Sequence, residues 1–307
     1  MEDKIIINYH YVRDANDEIR GINSCSVGEF ERQINFLCKE YEIVSVPNIF
    51  KVAKNDIPGK FCALTFDDCL KDVYNNVVPV LKKNNAKATL FLISSVLEEY
   101  LPSAHKVHLL LSKFSPSELI NAFNSHIDVL GPDFKKYHIP DNQRLYQDRR
   151  LDDDIDTANL KETFTLLPNQ IKENFISILF NKLGLNEKVM VEEMFMNARE
   201  INELCVQGFY LGDHSYSHAN LTMMSVGDIK KDLSKSKKKI ADLCGYNVKI
   251  FSYPSGRWNN VVLDILKETG FELALTINER GLHNLENPLL LPRYDTNFVR
   301  DYIKNVK

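Results

Sequence analysis

No stretch of this chain approaches the ~18 consecutive apolar residues that a membrane-spanning helix needs, so no transmembrane helix is expected. Glycine and proline are scarce, 12 and 11 among 307 residues. That excludes collagen-like and low-complexity disordered chains. The six cysteines, Cys25, Cys38, Cys62, Cys69, Cys205 and Cys244, form no C-x-x-C pair. A zinc knuckle or dithiol redox motif is therefore not expected. Neither charge sign dominates: 38 Lys and Arg stand against 42 Asp and Glu, a net charge of −4. This argues against a broad nucleic-acid surface. The opening residues, MEDKIIINYH, place two acids before a short β-branched run, which is not the form of a secretory signal. Reduced thiols and a cytoplasmic location are the matching expectation.

What is present is an ordinary globular composition, 44% hydrophobic and 26% charged. The length suits one large or two medium domains, at ~100–200 residues each. Short β-branched runs at 5–8, 43–46, 62–66, 88–93, 209–212, 249–252 and 273–277 read as strands. Apolar residues at helical spacing fill 27–41, 73–84, 226–243 and 260–269 between them. Strands that alternate with helices predict a parallel α/β sheet or barrel. The alternation breaks from about 97 to 203, where only helices are predicted, at 103–113, 115–124, 169–183 and 191–206. This span reads as a mostly helical insertion into one domain that covers 1–307. Within it, the acidic stretch 141–157, with Asp152-Asp153-Asp154, reads as a solvated turn.

Three motifs carry chemistry. Leu64-Thr65-Phe66-Asp67-Asp68 ends an apolar strand in two carboxylates. The C-terminal ends of parallel strands are where α/β barrels hold their catalytic groups. The same pair can instead cap the next helix. His214 and His218, four residues apart, can reach one divalent metal, or one can cap a turn while the other packs in the core. Phe251-Ser252-Tyr253-Pro254-Ser255-Gly256-Arg257-Trp258 ends a strand in a Pro-x-Gly turn. Such a turn can aim backbone N–H groups at an oxyanion, or simply connect strand to helix. Trp258, the single tryptophan, suits a sugar platform or ordinary packing. His105, His108, His126 and His138 stand in no ligand pattern.

Taken together, these motifs resemble the polysaccharide deacetylases, carbohydrate esterase family four. The resemblance runs from Asn8-Tyr9-His10 through Asp67-Asp68 and Gly208–Leu221 to Phe251–Gly256 and Leu291-Pro292-Arg293. It implies a distorted (β/α) barrel of about seven parallel strands, here with a helical insertion. It implies that Asp68, His214 and His218 hold one divalent ion, zinc first, with cobalt, nickel or manganese as alternatives. Asp67 would then be the general base. Tyr253, Pro254 and Ser255 would lie at the oxyanion, and His10 and Trp258 beside the substrate. Asp213 would support an imidazole or meet the substrate.

Two positions depart from the family pattern. Ser252 stands where the family often has an arginine that orients the base, and Arg293 is the candidate replacement. The segment around 289–293 lacks the family's late histidine, so His283 is the one late candidate for the general acid. Arg293, always charged, is a poor proton donor but can stabilise charge. The implied activity is metal-dependent removal of an N-acetyl group from an N-acetylated sugar or glycan precursor. A deformylase or amidase acting on another small amide, and an inactive glycan-binding barrel, are the alternatives.

Overall fold

The computed structural model describes residues 1–14, 22–147, 150, 153–283 and 287–306. β1 (Lys4–Tyr9) leads to α1 (Val27–Glu40), β2 (Glu42–Ile43), α2 (Val46–Lys54), β3 (Phe61–Phe66), α3 (Val78–Lys83) and β4 (Thr89–Leu92). Helices follow: α4 (Ser103–Lys113), α5 (Pro116–Leu130), α6 (Ile155–Leu166), α7 (Asn169–Leu183), α8 (Glu187–Met194) and α9 (Ala198–Val206). Alternation resumes with β5 (Tyr210–Asp213), α10 (Val226–Cys244), β6 (Ile250–Ser252), α11 (Asn260–Glu268), β7 (Leu273–Leu275), β8 (Tyr294–Asp295) and α12 (Thr296–Val306).

The strands lie in the order β7-β6-β5-β4-β3-β1-β8, and β2 pairs with the start of β3. Every ladder between them is parallel. The segment that carries β8 touches both edges of this sheet. Leu291 bridges to Leu275 of β7, and Tyr294 and Asp295 pair with Ile7 and Asn8 of β1. The sheet thereby curls into a distorted (β/α) barrel, as the resemblance implies. Ile6, Ala63, Phe91, Ile250, Leu275 and Leu291 are buried together in its core. Parallel strands covered on both faces are near-continuously apolar, as Lys4–Tyr9 and Phe61–Phe66 are.

Two details differ from the sequence expectation. The strand expected at 43–46 stops at Ile43, because Ser45 caps α2 by accepting from the Asn48 N–H, and Pro47 suits the first helical turn. β8 has only two residues and carries no periodicity to read.

The chain forms two compact units. The barrel unit holds 1–14, 24–100 and 191–307. The other holds the described residues 22–23 together with 101–190. This second unit is narrower than the expected 97–203. Helix α9 belongs with the barrel, where Glu200 pairs with Lys71 and Glu203 accepts from the Tyr74 hydroxyl. Within the helical unit, Phe123, Phe164 and Phe175 pack edge-on and stacked, with ring centroids 5.1–5.8 Å apart. Most described residues of the acidic stretch, 141–147 and Asp154 among them, are exposed or half-exposed, as expected of a solvated turn, but Asp153 departs from that reading. The Asp153 side chain pairs with Lys161 largely out of solvent, and Asp154 caps α6 by accepting from the Thr157 N–H. Asp152 lies outside the described residues.

Candidate active site

The barrel brings three strand ends together. Asp67 directly follows β3, and its N–H continues the ladder to the Tyr9 carbonyl. His214 directly follows β5 and donates its N–H to the Leu92 carbonyl. Ser252 ends β6. Backbone strain marks the same corners. Asp68 has φ +72°, Ser215 +65°, His218 +56° and Ser255 +56°. A non-glycine residue in this left-handed region costs about 1–3 kcal/mol, and such outliers gather at functional sites.

Asp68, His214 and His218 converge. Asp68 Oδ1 lies 3.5 Å from Nε2 of both histidines, and the ligand atoms of all three lie within 4.8 Å of one another. Two donors that share a zinc ion at ~2.0–2.1 Å in tetrahedral geometry stand ~3.3 Å apart, so this spacing fits one small divalent ion. His214 is already oriented for the task. Its Nδ1 lies 2.8 Å from the Ser252 carbonyl, which can only accept. The proton must therefore sit on Nδ1, and Nε2 presents its lone pair toward Asp68. Burial lowers the pKa of His214, outweighing the upward pull of Asp67 and Asp68, which favours the neutral, ligating imidazole.

Asp67 is buried beside this group. Arg293 holds it with a fork, Nη1 to Oδ1 and Nη2 to Oδ2, each 2.9 Å. The Ser252 hydroxyl donates to Oδ2 at 3.1 Å. Burial raises the carboxyl pKa, but the charge and hydrogen bonds of Arg293, with help from His214 and His10, bring it down to about 2. Arg293 is itself fully buried and donates onward to the Asn8 side chain and the Thr276 carbonyl. Arg293 thus fixes the Asp67 carboxylate from the far end of the chain. It is no proton donor, because its guanidinium stays charged and is bound on all sides.

The remaining expected residues divide. His10 Nε2 lies 3.8 Å from Asp67 Oδ2, and its side chain is 42% exposed, so it stands at the site with access to solvent. His283 does not. It pairs with Glu2 at 2.5 Å, and its neighbour Leu282 donates its N–H to the Lys4 carbonyl. These residues mark the N-terminal end of β1, ~20 Å along the chain from His10. The expectation that His283 is the acid is thereby corrected. Tyr253 is buried, with its N–H on the Leu275 carbonyl and its hydroxyl on the Leu289 carbonyl, so it supports the fold and does not meet substrate. Asp213 accepts from the Ser236 hydroxyl and the Ser215 N–H, not from an imidazole, and burial pushes its pKa up to about 7. Its expected contact with a histidine or substrate is corrected too. Pro254, Ser255 and Gly256 form a tight turn directly beyond β6, and a side chain on Gly256 would collide with Ile277. Trp258 follows on the surface, 38% exposed. Sequence reasoning missed Asn8, Thr65 and Ser252 as the polar seat of the Asp67–Arg293 pair. Each is a polar residue inside or ending an apolar strand, and that was the available signal.

The chain is also similar to known proteins. The chain matches the polysaccharide deacetylase family over residues 54–128 and 148–274. YxkH of Bacillus subtilis, whose name places it among the polysaccharide deacetylases, is 21% identical over 161 residues. That match covers 50% of this chain and 55% of YxkH, so the chain spans about half the length of this relative. The poly-β-1,6-N-acetyl-D-glucosamine N-deacetylase of Staphylococcus aureus is 22% identical over 303 residues, 94% of this chain and 77% of that protein. Among solved structures, the Streptococcus pyogenes deacetylase PplD in complex with acetate superposes with a TM-score of 0.63 at 19% identity, covering 98% of this chain and 97% of that one. IcaB from Ammonifex degensii gives 0.59 at 16%, with 98% and 97% covered. These two likenesses show the shared fold.

Proposed function

The chain belongs to the polysaccharide deacetylase family, and on that premise we propose that it is a metal-dependent hydrolase that removes N-acetyl groups from N-acetylglucosamine residues of a glycan or glycan precursor. The observation that carries this reading is the convergence of Asp68, His214 and His218 beside an Asp67 that Arg293 holds ionised. A divalent ion held by those three residues would supply Lewis acidity, lowering the pKa of a water and polarising an amide carbonyl. Zinc suits one carboxylate and two imidazoles with positions left open.

The chain's own residues do the rest. Asp67 takes the proton from the attacking water. With a pKa of about 2 it is ionised at neutral pH but only weakly basic, so it suits a water whose own acidity a bound ion would raise. The Arg293 fork fixes the carboxylate plane so that one oxygen meets that water. In the turn after Pro254 the Gly256 and Arg257 N–H groups close onto the Tyr253 and Pro254 carbonyls, and the Ser255 N–H is the backbone donor for the tetrahedral oxyanion. His10 gives the proton that the departing amine nitrogen needs. Among the described histidines it is the one beside Asp67 that is neither a proposed ligand nor at the far end of the strands. The products are a free amine on the sugar and acetate.

The test is acid release from β-1,6-linked N-acetylglucosamine oligomers by zinc- or cobalt-loaded protein. Acetate and free amine should form in equal amounts. Formate release, or no product from loaded protein on any N-acetylated amino sugar, contradicts the proposal. In the same assay His10→Gln should lower kcat by ~10²-fold or more with KM little changed. A variant that keeps the full rate removes His10 as the proton donor.

A further inference from the structure

The segment that joins the two histidines is built before any ion arrives. From Ser215 to His218 every backbone N–H has a fixed acceptor. Ser215 donates to Asp213 Oδ1 at 2.8 Å, and His218 donates to Ser215 Oγ at 3.0 Å. The two central amides go to one side chain: Tyr216 N–H to Asp232 Oδ1 at 2.8 Å and Ser217 N–H to Asp232 Oδ2 at 3.1 Å. The carbonyls of Ser215 and Tyr216 accept from the N–H groups of Ser94 and Ser95, just beyond β4. Asp232 is 7% exposed and sits in the middle of α10, a helix otherwise rich in lysine. Nothing in the helix needs a buried carboxylate there. The two amides it binds lie between the proposed ligands, in a loop whose ends, Ser215 and His218, both adopt left-handed backbone.

We propose that Asp232 is a positioning residue for the metal site: its two oxygens clamp the Tyr216 and Ser217 amides and so set the separation and angle of His214 and His218 before the ion binds. The inference rests on the proposed function only in taking these two histidines as ligands. A carboxylate suits the role because both of its oxygens accept, whereas an amide of the same shape accepts through one atom and presents an N–H to the other donor. Asp232→Asn therefore keeps the volume and loses half of the clamp. Outer residues that orient metal ligands typically govern 10–100-fold in affinity, and a clamp of this kind belongs in that range.

The test is Co²⁺ titration of metal-free full-length protein, followed by the visible absorption bands of the bound ion and compared with thermal unfolding of the metal-free forms. Wild type should bind one Co²⁺. Asp232→Asn should bind it ~10–100-fold more weakly and with an altered band pattern, because the two imidazoles no longer meet the ion at fixed angles. Asp232→Glu, which restores both accepting oxygens, should recover part of the affinity. Asp242→Asn, the same charge change at an exposed position of the same helix, should match wild type. If Asp232→Asn has the affinity and spectrum of wild type, the inference is overturned while the functional reading stands. It is likewise overturned if the affinity falls only as far as that of an unrelated variant with an equally lowered melting temperature and an unchanged spectrum. A wild-type protein that takes up no Co²⁺ overturns both.

Discussion

Asp67→Asn is expected to lower kcat by ~10²–10⁴-fold, the span over which a positioned general base acts. Asparagine has the same shape and can still accept from one arm of Arg293, but it cannot take a proton from water. The proposed metal ligands Asp68, His214 and His218 are untouched by this change, so ion content should remain that of wild type. The combination of full metal and near-zero turnover separates a base from a ligand. Metal content that falls together with activity would instead make Asp67 part of the ligand set. Such an outcome has a geometric basis to be tested, since Asp67 Oδ2 lies 4.0 Å from His214 Nε2.

Arg293→Met is the second large effect, and it falls on stability first. The pair is buried on both sides, with Arg293 at 0% and Asp67 at 3% side-chain exposure. Removing one partner of a buried ion pair typically costs about 3–5 kcal/mol, because the other charge stays buried and alone. The pH dependence has a definite sign. In the wild type the folded carboxyl titrates near 2, below its unfolded value of ~3.9. Its contribution is therefore fully present above about pH 4 and is lost as pH falls through about 2. Without Arg293, burial dominates and the folded pKa rises above the unfolded one. The variant then loses stability as pH rises through that range, so its deficit against wild type should be largest near neutral pH and shrink in acid. Thermal unfolding of both proteins between pH 3 and 8 checks this. A deficit that is constant with pH would mean that the loss is packing and that Asp67 does not depend on Arg293.

The parts of this site that could be read from sequence share one property: each is local. Asp67 and Asp68 end an apolar run, and His214 and His218 sit four apart just beyond another, so strand-end logic brings them together. The link between Asp67 and Arg293 spans 226 residues, and it depends on a two-residue strand without periodicity. The arginine could be suspected only because the usual place for one holds Ser252. His283 misled because it is near Arg293 along the chain. In the fold, Leu282 meets Lys4 at the start of β1, whereas Arg293 meets Asn8 near its end. His10 was legible as a strand-end residue, but its role follows from register. Tyr9 pairs with Phe66, which sets the next residues, His10 and Asp67, side by side. Asp232 was hidden for the opposite reason, since one of three acids on a lysine-rich helix reads as ordinary surface charge.

Whether Asp68, His214 and His218 form one metal centre is decided by counting the ion. Wild type and His218→Ala are loaded with zinc, dialysed, and analysed for metal per chain. About one ion is expected in wild type and far less in the variant, with both proteins folded. Equal occupancy in the two, or a wild type that stays empty after zinc, cobalt and nickel have each been supplied, would contradict a metal centre built from these three residues.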